Sequence, residues 1–131
     1  MNVEWKDAYI IGHDIIDQQH QRLFELTNAL MAAHDVGDLR HSMVLLYKHT
    51  REHFDLEESL MRKLHYPDLN PHTEMHDNLL SRLNEVSEEV GRGRVNRTAL
   101  VQLMGDWALH HIPNEDVKFA VFMVQSANQP E

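Results

Sequence analysis

The chain has 131 residues, a formal net charge of −9 at pH 7 and no cysteine. The negative charge repels nucleic acid and anionic membrane surfaces, so we expect neither as a partner. The lack of cysteine excludes disulfides, thiolate metal sites, iron–sulfur clusters and cysteine catalysis. Eleven histidines are the unusual feature, because histidine is the commonest metal ligand in proteins.

The length predicts a single domain over residues 1–131. The first residues, MNVEWKDAYIIGHD, lack a basic stretch followed by a long apolar run, and no eighteen consecutive residues are apolar. We therefore expect no membrane insertion and a cytoplasmic location.

Residues 1–16 predict an extended arm that packs on the core through its apolar side chains: Trp5, Tyr9, Ile10, Ile11, Ile15 and Ile16. From Asp17, a plausible N-cap, to about Val36 the apolar spacing predicts a first helix that stops near Gly37. His20 lies on the apolar stripe of this helix.

A second helix is predicted from near Asp38 to the Tyr66-Pro67 break. Its inward stripe has steps of three and four residues: Leu39, Met43, Leu46, Thr50, His53, Glu57, Leu60 and Leu64. An ionised carboxylate on such a stripe is costly unless it is paired or bound to metal, so Glu57 is the most informative residue. The neighbouring Glu58 is expected to point into solvent.

A third helix is predicted from Pro71, with Asn70 as its cap, to the turn at residues 91–97. Its inward stripe again contains two histidines: His72, Met75, His76, Leu79, Leu80, Leu83, Val86 and Val90. Positions four residues apart project from one face of a helix, so His72 and His76 can reach one metal ion.

The fourth helix is predicted to start near Asn96 or Thr98, with Pro113 bending it. Its buried positions are Leu100, Leu103, Trp107, either His110 or His111, Asp116, Phe119, Phe122 and Met123. Spacing cannot choose between the two histidines. The five-residue step from His111 to Asp116 exceeds one α-turn, so the aspartate must approach from a different direction or a local bulge must correct it.

Four amphipathic helices with short connections predict an all-α, antiparallel up-down-up-down bundle with an extended N-terminal arm. Each helix contributes at least one inward-facing residue that can bind metal: His20, His53, Glu57, His72, His76, His110 or His111, and Asp116. Nitrogen-rich ligation without thiolate favours iron, zinc, copper or nickel. Seven donors exceed what one tetrahedral zinc uses, which favours two metal ions sharing the two carboxylates.

The pattern resembles the hemerythrin family, and in length and organisation its single-domain bacterial members. Four motifs carry the resemblance: DQQHQRLFELTN around His20, HFDLEESLM around His53 and Glu57, YPDLNPHTEMH around His72 and His76, and WALHHIPNED around His111 and Asp116. In the family's fourth motif the histidine stands four residues after the tryptophan. The resemblance therefore selects His111 and leaves His110 as an accessory residue.

The resemblance implies a pair of iron ions, Fe²⁺ or Fe³⁺, joined by an oxo or hydroxo bridge, with O₂ as the ligand. It implies these ligands: His72, His76 and His111 on one iron, His20 and His53 on the other, and Glu57 and Asp116 as bridges. Six donors then surround the first iron and five surround the second, which keeps one position open for O₂.

A dry pocket should enclose the open position, and its candidate wall is Phe24, Phe54, Met61, Trp107, Ala108 and Ile112. The chain departs from the common family pattern at two positions. Ala108 stands where leucine is frequent after the tryptophan, which predicts a wider pocket and faster autoxidation. Phe119 stands where tyrosine is frequent, which removes a possible hydroxyl partner.

The function that we expect is reversible O₂ binding, for storage or for delivery to an O₂-consuming enzyme, rather than catalysis. The alternatives are a di-iron enzyme that reduces peroxide or nitric oxide, and a sensor of O₂ or redox state. An HD-type phosphohydrolase, suggested by the dipeptide His76-Asp77, is disfavoured because the sequence has no basic cluster beside these ligands to hold a phosphate.

Overall fold

Four antiparallel helices joined by short connections build the molecule, and the computed structural model describes residues 4–128 apart from the side chains of residues 8, 108, 109, 127 and 128. The elements, in chain order, are a 3₁₀ turn (Asp7–Tyr9), α1 (Asp14–Ala32), α2 (Val36–Lys63), α3 (Leu69–Gly91), and a fourth helix composed of α4 (Arg97–Asp106), a π-helical segment (Trp107–Asp116) and α5 (Val117–Asn128). The predicted bundle is confirmed. No helix in this part of the chain is long and apolar enough to cross a bilayer.

The first helix begins earlier than the sequence predicted. His13 is its N-cap, and the imidazole Nδ1 accepts a hydrogen bond from the backbone N–H of Ile16. The predicted cap, Asp17, instead accepts the backbone N–H groups of Ile11 at 2.8 Å and Gly12 at 3.1 Å. Its carboxylate therefore fastens the N-terminal arm to the helix rather than starting the helix.

The connection between α1 and α2 also differs from the prediction. Because Asp35 accepts the backbone N–H of Asp38 at 2.8 Å, α2 begins at Val36, where the first helix was expected to end. Gly37, expected to cap the first helix, lies in the first turn of α2.

The N-terminal arm packs on the core through aromatic rings. Trp5 lies with its ring centroid 5.5 Å from Tyr9 and 5.4 Å from Phe24, in edge-to-face geometry. The packing predicted for two other residues of 1–16 was wrong, because Ile10, in the arm, and Ile15, in the first turn of α1, are 49% and 54% exposed. The arm therefore covers one side of α1 with only part of its apolar surface.

A Schellman motif ends α2. The N–H of His65 donates to the carbonyl of Arg62, and the N–H of Tyr66 donates to the carbonyl of Met61. His65 has a φ of 58°, the left-handed conformation that this motif requires and that glycine adopts most easily. The chain thus reverses at this turn, before Pro67.

The third helix starts at Leu69, with Asp68 in the N-cap position. The prediction that Asn70 caps it was therefore wrong, and Pro71 lies in the first turn, where a missing N–H breaks no helical bond. Asn96 caps the fourth helix by accepting the N–H of Ala99 at 3.0 Å.

Two apolar clusters fill the interior, and polar residues separate them along three helices. On each of these helices, a buried polar residue lies between one residue of the larger cluster and one of the smaller. These polar residues are His20 (between Leu23 and Ile16), Glu57 (between Phe54 and Met61) and Asp116 (between Ile112 and Phe119). Several predicted core residues are only half-buried, namely Leu60, Leu64, Met75, Leu80, Phe122 and Met123. The bundle therefore contains a polar layer that is enclosed by hydrocarbon at both ends.

Candidate metal centre

Seven side chains meet in this polar layer, and none is more than 6% exposed: His20, His53, Glu57, His72, His76, His111 and Asp116. On α2, His53 and Glu57 are four residues apart and share a face, as do His72 and His76 on α3. His110 is exposed. The structure thus brings together the seven residues that the motifs selected and leaves His110 outside.

The π-helical segment explains how His111 and Asp116 reach the same layer. Its hydrogen bonds span five residues, as shown by the N–H of Val117, which donates to the carbonyl of Ile112. Two residues five apart therefore lie one above the other, whereas an α-helix would place them at different directions around the axis. Of the two solutions that the sequence left open, the local widening of the helix is the one observed.

The carboxylate of Glu57 contacts imidazoles on both sides. Its Oε1 lies 2.8 Å from Nε2 of His72 and 3.5 Å from Nε2 of His76, and its Oε2 lies 2.9 Å from Nε2 of His53. The two oxygens of this side chain therefore face two different sets of histidines.

Asp116 divides its oxygens in the same way. Its Oδ1 lies 3.1 Å from Nε2 of both His72 and His111, while its Oδ2 lies 3.2 Å from Nε2 of His20. The donors thus form a three-histidine group (His72, His76, His111) and a two-histidine group (His20, His53), and both carboxylates belong to both groups. Within each group the ligand atoms lie within 4.8 Å of one another, which fits one metal ion per group.

Burial and mutual contact shift the pKa values of these residues in the metal-free chain. Burial alone would raise the pKa of Glu57, but close contacts with the imidazoles of His53, His72 and His76 hold it well below its usual range. Burial alone would lower the pKa of His72, but hydrogen bonds to Asp116 and Glu57 and their charges raise it to about 9. Burial and the charge of Glu57 would raise the pKa of Asp116, but its contacts with His111 and His20 outweigh them and lower it, so both carboxylates are ionised, as metal bridges must be.

Several buried polar atoms in the layer lie within 3.5 Å of another donor or acceptor but have no well-oriented hydrogen bond within the described part of the chain: Nε2 of His76 and His111, Oε2 of Glu57, and both carboxylate oxygens of Asp116. Each such atom costs about 1–3 kcal/mol when it is buried without a partner. Two metal ions would satisfy all of them, and nitrogen and carboxylate donors without thiolate suit iron. The residues therefore fit a two-metal centre.

Two further side chains fix the orientation of the histidines, and the sequence interpretation missed both. Nδ1 of His76 lies 2.8 Å from Oε2 of Glu58, which was expected to be solvated but has only 16% of its side chain exposed. Nδ1 of His53 lies 2.7 Å from the amide oxygen of Gln19. The backbone carbonyl of Gln19 also contacts Nε2 of His49 at 2.8 Å. The sequence could have indicated both residues by their position, since each one adjoins a predicted ligand.

Part of the predicted pocket wall borders the three-histidine group. The ring of Phe54 stacks on His76 with centroids 3.8 Å apart and planes 6° apart. Trp107 lies 5.0 Å from Phe54, and both are buried, as is Ile112. These side chains can keep water away from the imidazoles.

The other predicted wall residues have different surroundings. Phe24 packs under Trp5 in the larger cluster, and Met61 lies in the smaller one. The side chain of Ala108 lies outside the described residues, so the predicted effect of its small size stays a prediction. Phe119 is fully buried with its ring 5.0 Å from Tyr66, whose buried hydroxyl has no partner in the described chain.

Comparison with known proteins decides the family. Residues 11–121 match the family model described as hemerythrin HHE cation binding domain. The chain belongs to the hemerythrin family. The resemblance noted in the sequence is thereby confirmed. The family match supports a di-iron hemerythrin-type protein.

Relatives of this hemerythrin-family chain span most of its length. It is 30% identical over 131 residues to a bacteriohemerythrin of Stenotrophomonas maltophilia, a match covering 95% of this chain and 84% of that protein. It is 27% identical to myohemerythrin-1 of Phascolopsis gouldii, over 88% of this chain and 89% of the relative. Among solved structures, a leucine-to-alanine mutant of hemerythrin superposes with a TM-score of 0.81 at 25% identity, covering 92% of this chain and 95% of that one.

Proposed function

We propose that this protein binds O₂ reversibly at a non-heme di-iron centre, with no catalytic turnover. The observation that carries the proposal is the division of the carboxylate oxygens of Glu57 and Asp116 between the two histidine groups. A carboxylate that faces two donor groups with one oxygen each is suited to bridge two metal ions. Two iron ions bound there would supply the two electrons that reversible O₂ binding uses.

The proposed ligand assignment is asymmetric: His72, His76 and His111 would hold one iron, His20 and His53 would hold the other, and Glu57 and Asp116 would be shared by both. With one shared solvent-derived oxygen, the three-histidine side has six donors and the two-histidine side has five. The two-histidine side is therefore where we place the O₂ position.

The remaining part of the proposal concerns water exclusion. Apolar clusters enclose the polar layer at both ends, which favours the exclusion of water from it. Carriage requires this dryness, because water or acid beside bound O₂ would convert the site to an oxidised, inactive form. Delivery to an O₂-consuming enzyme is the role that we propose for such a carrier.

The test is metal analysis combined with optical spectra recorded under air and then under argon. We expect two iron ions per chain and an absorption band that appears in air and disappears under argon over repeated cycles. Zinc in place of iron, or a band that does not reverse, would contradict O₂ carriage. Rapid consumption of added peroxide or nitric oxide would instead identify a di-iron enzyme.

A further inference from the structure

A surface groove borders the three-histidine group, whereas the O₂ position is proposed at the two-histidine group. It has a volume of about 490 Å³ and runs between α3 and the fourth helix. Of the seven proposed ligands, His111 alone lines it. His111 is also the most exposed of the seven, at 6%, whereas the others are at most 2% exposed. The groove thus ends at a proposed ligand.

His111 is poised to accept a cation at this position. Its side chain is more than nine-tenths buried, and its Nε2 has no hydrogen-bond partner in the described part of the chain. This nitrogen faces the polar layer, 3.1 Å from Oδ1 of Asp116, itself a proposed ligand. A metal ion that arrives along the groove would therefore meet the imidazole ring of His111 before any other proposed ligand.

The backbone that carries His111 can also shift more easily than the rest of the bundle. It lies in the π-helical segment, a rare helix type that occurs mostly as short insertions in α-helices. Pro113, within the same segment, has no N–H to donate. Moving His111 outward therefore breaks fewer strong backbone bonds than moving a ligand on α2 or α3.

The charge on the groove wall favours divalent cations. Arg82 and Asp106, on opposite walls, form an ion pair at 2.7 Å and neutralise one another. Glu74 and Glu115 also line the groove, and neither has an ion pair with a basic side chain among the described contacts. The wall therefore carries two uncompensated negative charges, which concentrate cations in a cleft.

We propose that this groove is the route by which a divalent metal ion reaches the centre, with His111 as the ligand that admits it. The proposal rests on the ligand set proposed above. It predicts that Glu74 and Glu115 raise the local concentration of the ion in the groove before His111 and Asp116 bind it. Metal uptake and O₂ binding would then involve different histidine groups of the centre.

The experiment measures the rate at which metal-free, full-length protein takes up Co²⁺, followed by the absorption of the bound ion. In Glu74→Gln/Glu115→Gln we expect uptake to slow about tenfold at low ionic strength, because the local cation concentration falls. The difference should vanish near 1 M salt, where the Debye length is about 3 Å. In Asn78→Trp, a bulky ring at an exposed groove position should slow uptake at every salt concentration.

The matched control is Glu85→Gln/Glu88→Gln, which removes the same charge from exposed positions of α3 at a neighbouring groove that contains none of the seven ligands. Its uptake should match that of the wild-type protein, and circular dichroism should show equal helix content in all variants. A wild-type rate in Asn78→Trp overturns the route, and a wild-type rate in the Glu74/Glu115 variant overturns the role of its carboxylates. Failure of the wild-type protein to bind Co²⁺ at all would contradict the ligand set instead.

Discussion

The imidazole of His76 is held by the carboxylate of Glu58, with Nδ1 and Oε2 2.8 Å apart. This contact fixes the ring so that Nε2 points to the polar layer, and it keeps the proton on Nδ1. A carboxylate partner also makes the imidazole a stronger donor to a metal ion. On the other side of the centre, the equivalent atom of His53 faces a neutral amide, that of Gln19. The two histidine groups therefore differ in their supporting contacts as well as in number.

The first prediction concerns Glu58→Gln, which keeps the shape of the side chain but removes its charge. We expect metal affinity to fall about tenfold, the lower end of what is typical when the partner of a metal-bound histidine is changed. Competition between the protein and a chelator for Zn²⁺ measures this affinity. Glu85→Gln is the control, since it removes one exposed charge from α3 without touching a histidine. Equal affinities in the two variants would show that the contact does not support the metal.

The second prediction separates the adjacent histidines of the fourth helix. His111→Ala removes a buried nitrogen that lies 3.1 Å from Asp116, so purified protein should contain less than two iron ions per chain. His110→Ala removes an exposed side chain and should leave the iron content unchanged. Iron analysis of both proteins, prepared in parallel, checks the assignment. If only the His110 variant lost iron, the assignment of the ligand to His111 would be wrong.

The third prediction concerns pH and the stability of the metal-free protein. The pKa of His72 is raised to about 9 in the folded chain, against about 6.5 when unfolded. Folding therefore favours its protonated form, and this stabilisation is complete below about pH 6.5 and lost as the pH rises through about 9. The pKa values of His20 and His76 are also raised, because contacts with the buried carboxylates outweigh the opposing effect of burial. The pKa of His53 is lowered by burial, so its contribution has the opposite sign.

Because the lowered pKa of His53 changes stability only below about pH 6.5, it does not oppose this trend, and the Tm of the metal-free protein should fall between pH 6.5 and 9.5. Thermal unfolding followed by circular dichroism at several pH values measures this change. The zinc-loaded protein is the internal control, because metal-bound imidazoles are already neutral and its Tm should change less. A metal-free Tm that stays constant or rises over this range would contradict the prediction.

The proposed ligands could be selected from the sequence because each is a polar residue on an otherwise apolar helical stripe. Glu57, for example, lies four residues after His53 and is fully buried. Glu58 was missed for the same reason. It lies beside the stripe, where periodicity assigns a residue to solvent, but its side chain is long enough to reach sideways to His76. Helical periodicity gives the direction in which a side chain leaves the backbone. Hydrogen bonds between helices depend instead on the position of its terminal atoms.

Helix boundaries were less predictable, because several residues near a helix start can act as caps. His13 and Asp17 both stand near the start of α1, and the position of the arm decides which one caps it. The π-helical segment was also only partly predictable. The five-residue spacing of His111 and Asp116 shows that the α-helix cannot continue unchanged, but only the folded backbone shows which solution is adopted.

The last prediction concerns the turn after α2, where His65 has a φ of 58°. A side chain in this conformation brings its Cβ close to the backbone, whereas glycine has no such contact. His65 is exposed, so its removal breaks few interactions. His65→Gly should therefore raise the free energy of unfolding by roughly 0.5–1 kcal/mol, the glycine's greater freedom in the unfolded chain offsetting part of the gain.

The same motif at the end of α3 provides the reciprocal test. Gly93 occupies the equivalent position with a φ of 80°, and its N–H donates to the carbonyl of Val90. An added Cβ at this glycine would meet Val36 at an ordinary distance of 3.5 Å, so backbone strain is the dominant cost. Gly93→Ala should lower the free energy of unfolding by about 1 kcal/mol. Denaturant unfolding measures the free energy of unfolding of both variants. If both substitutions change stability in the same direction, the conformation at these turns does not determine their effect.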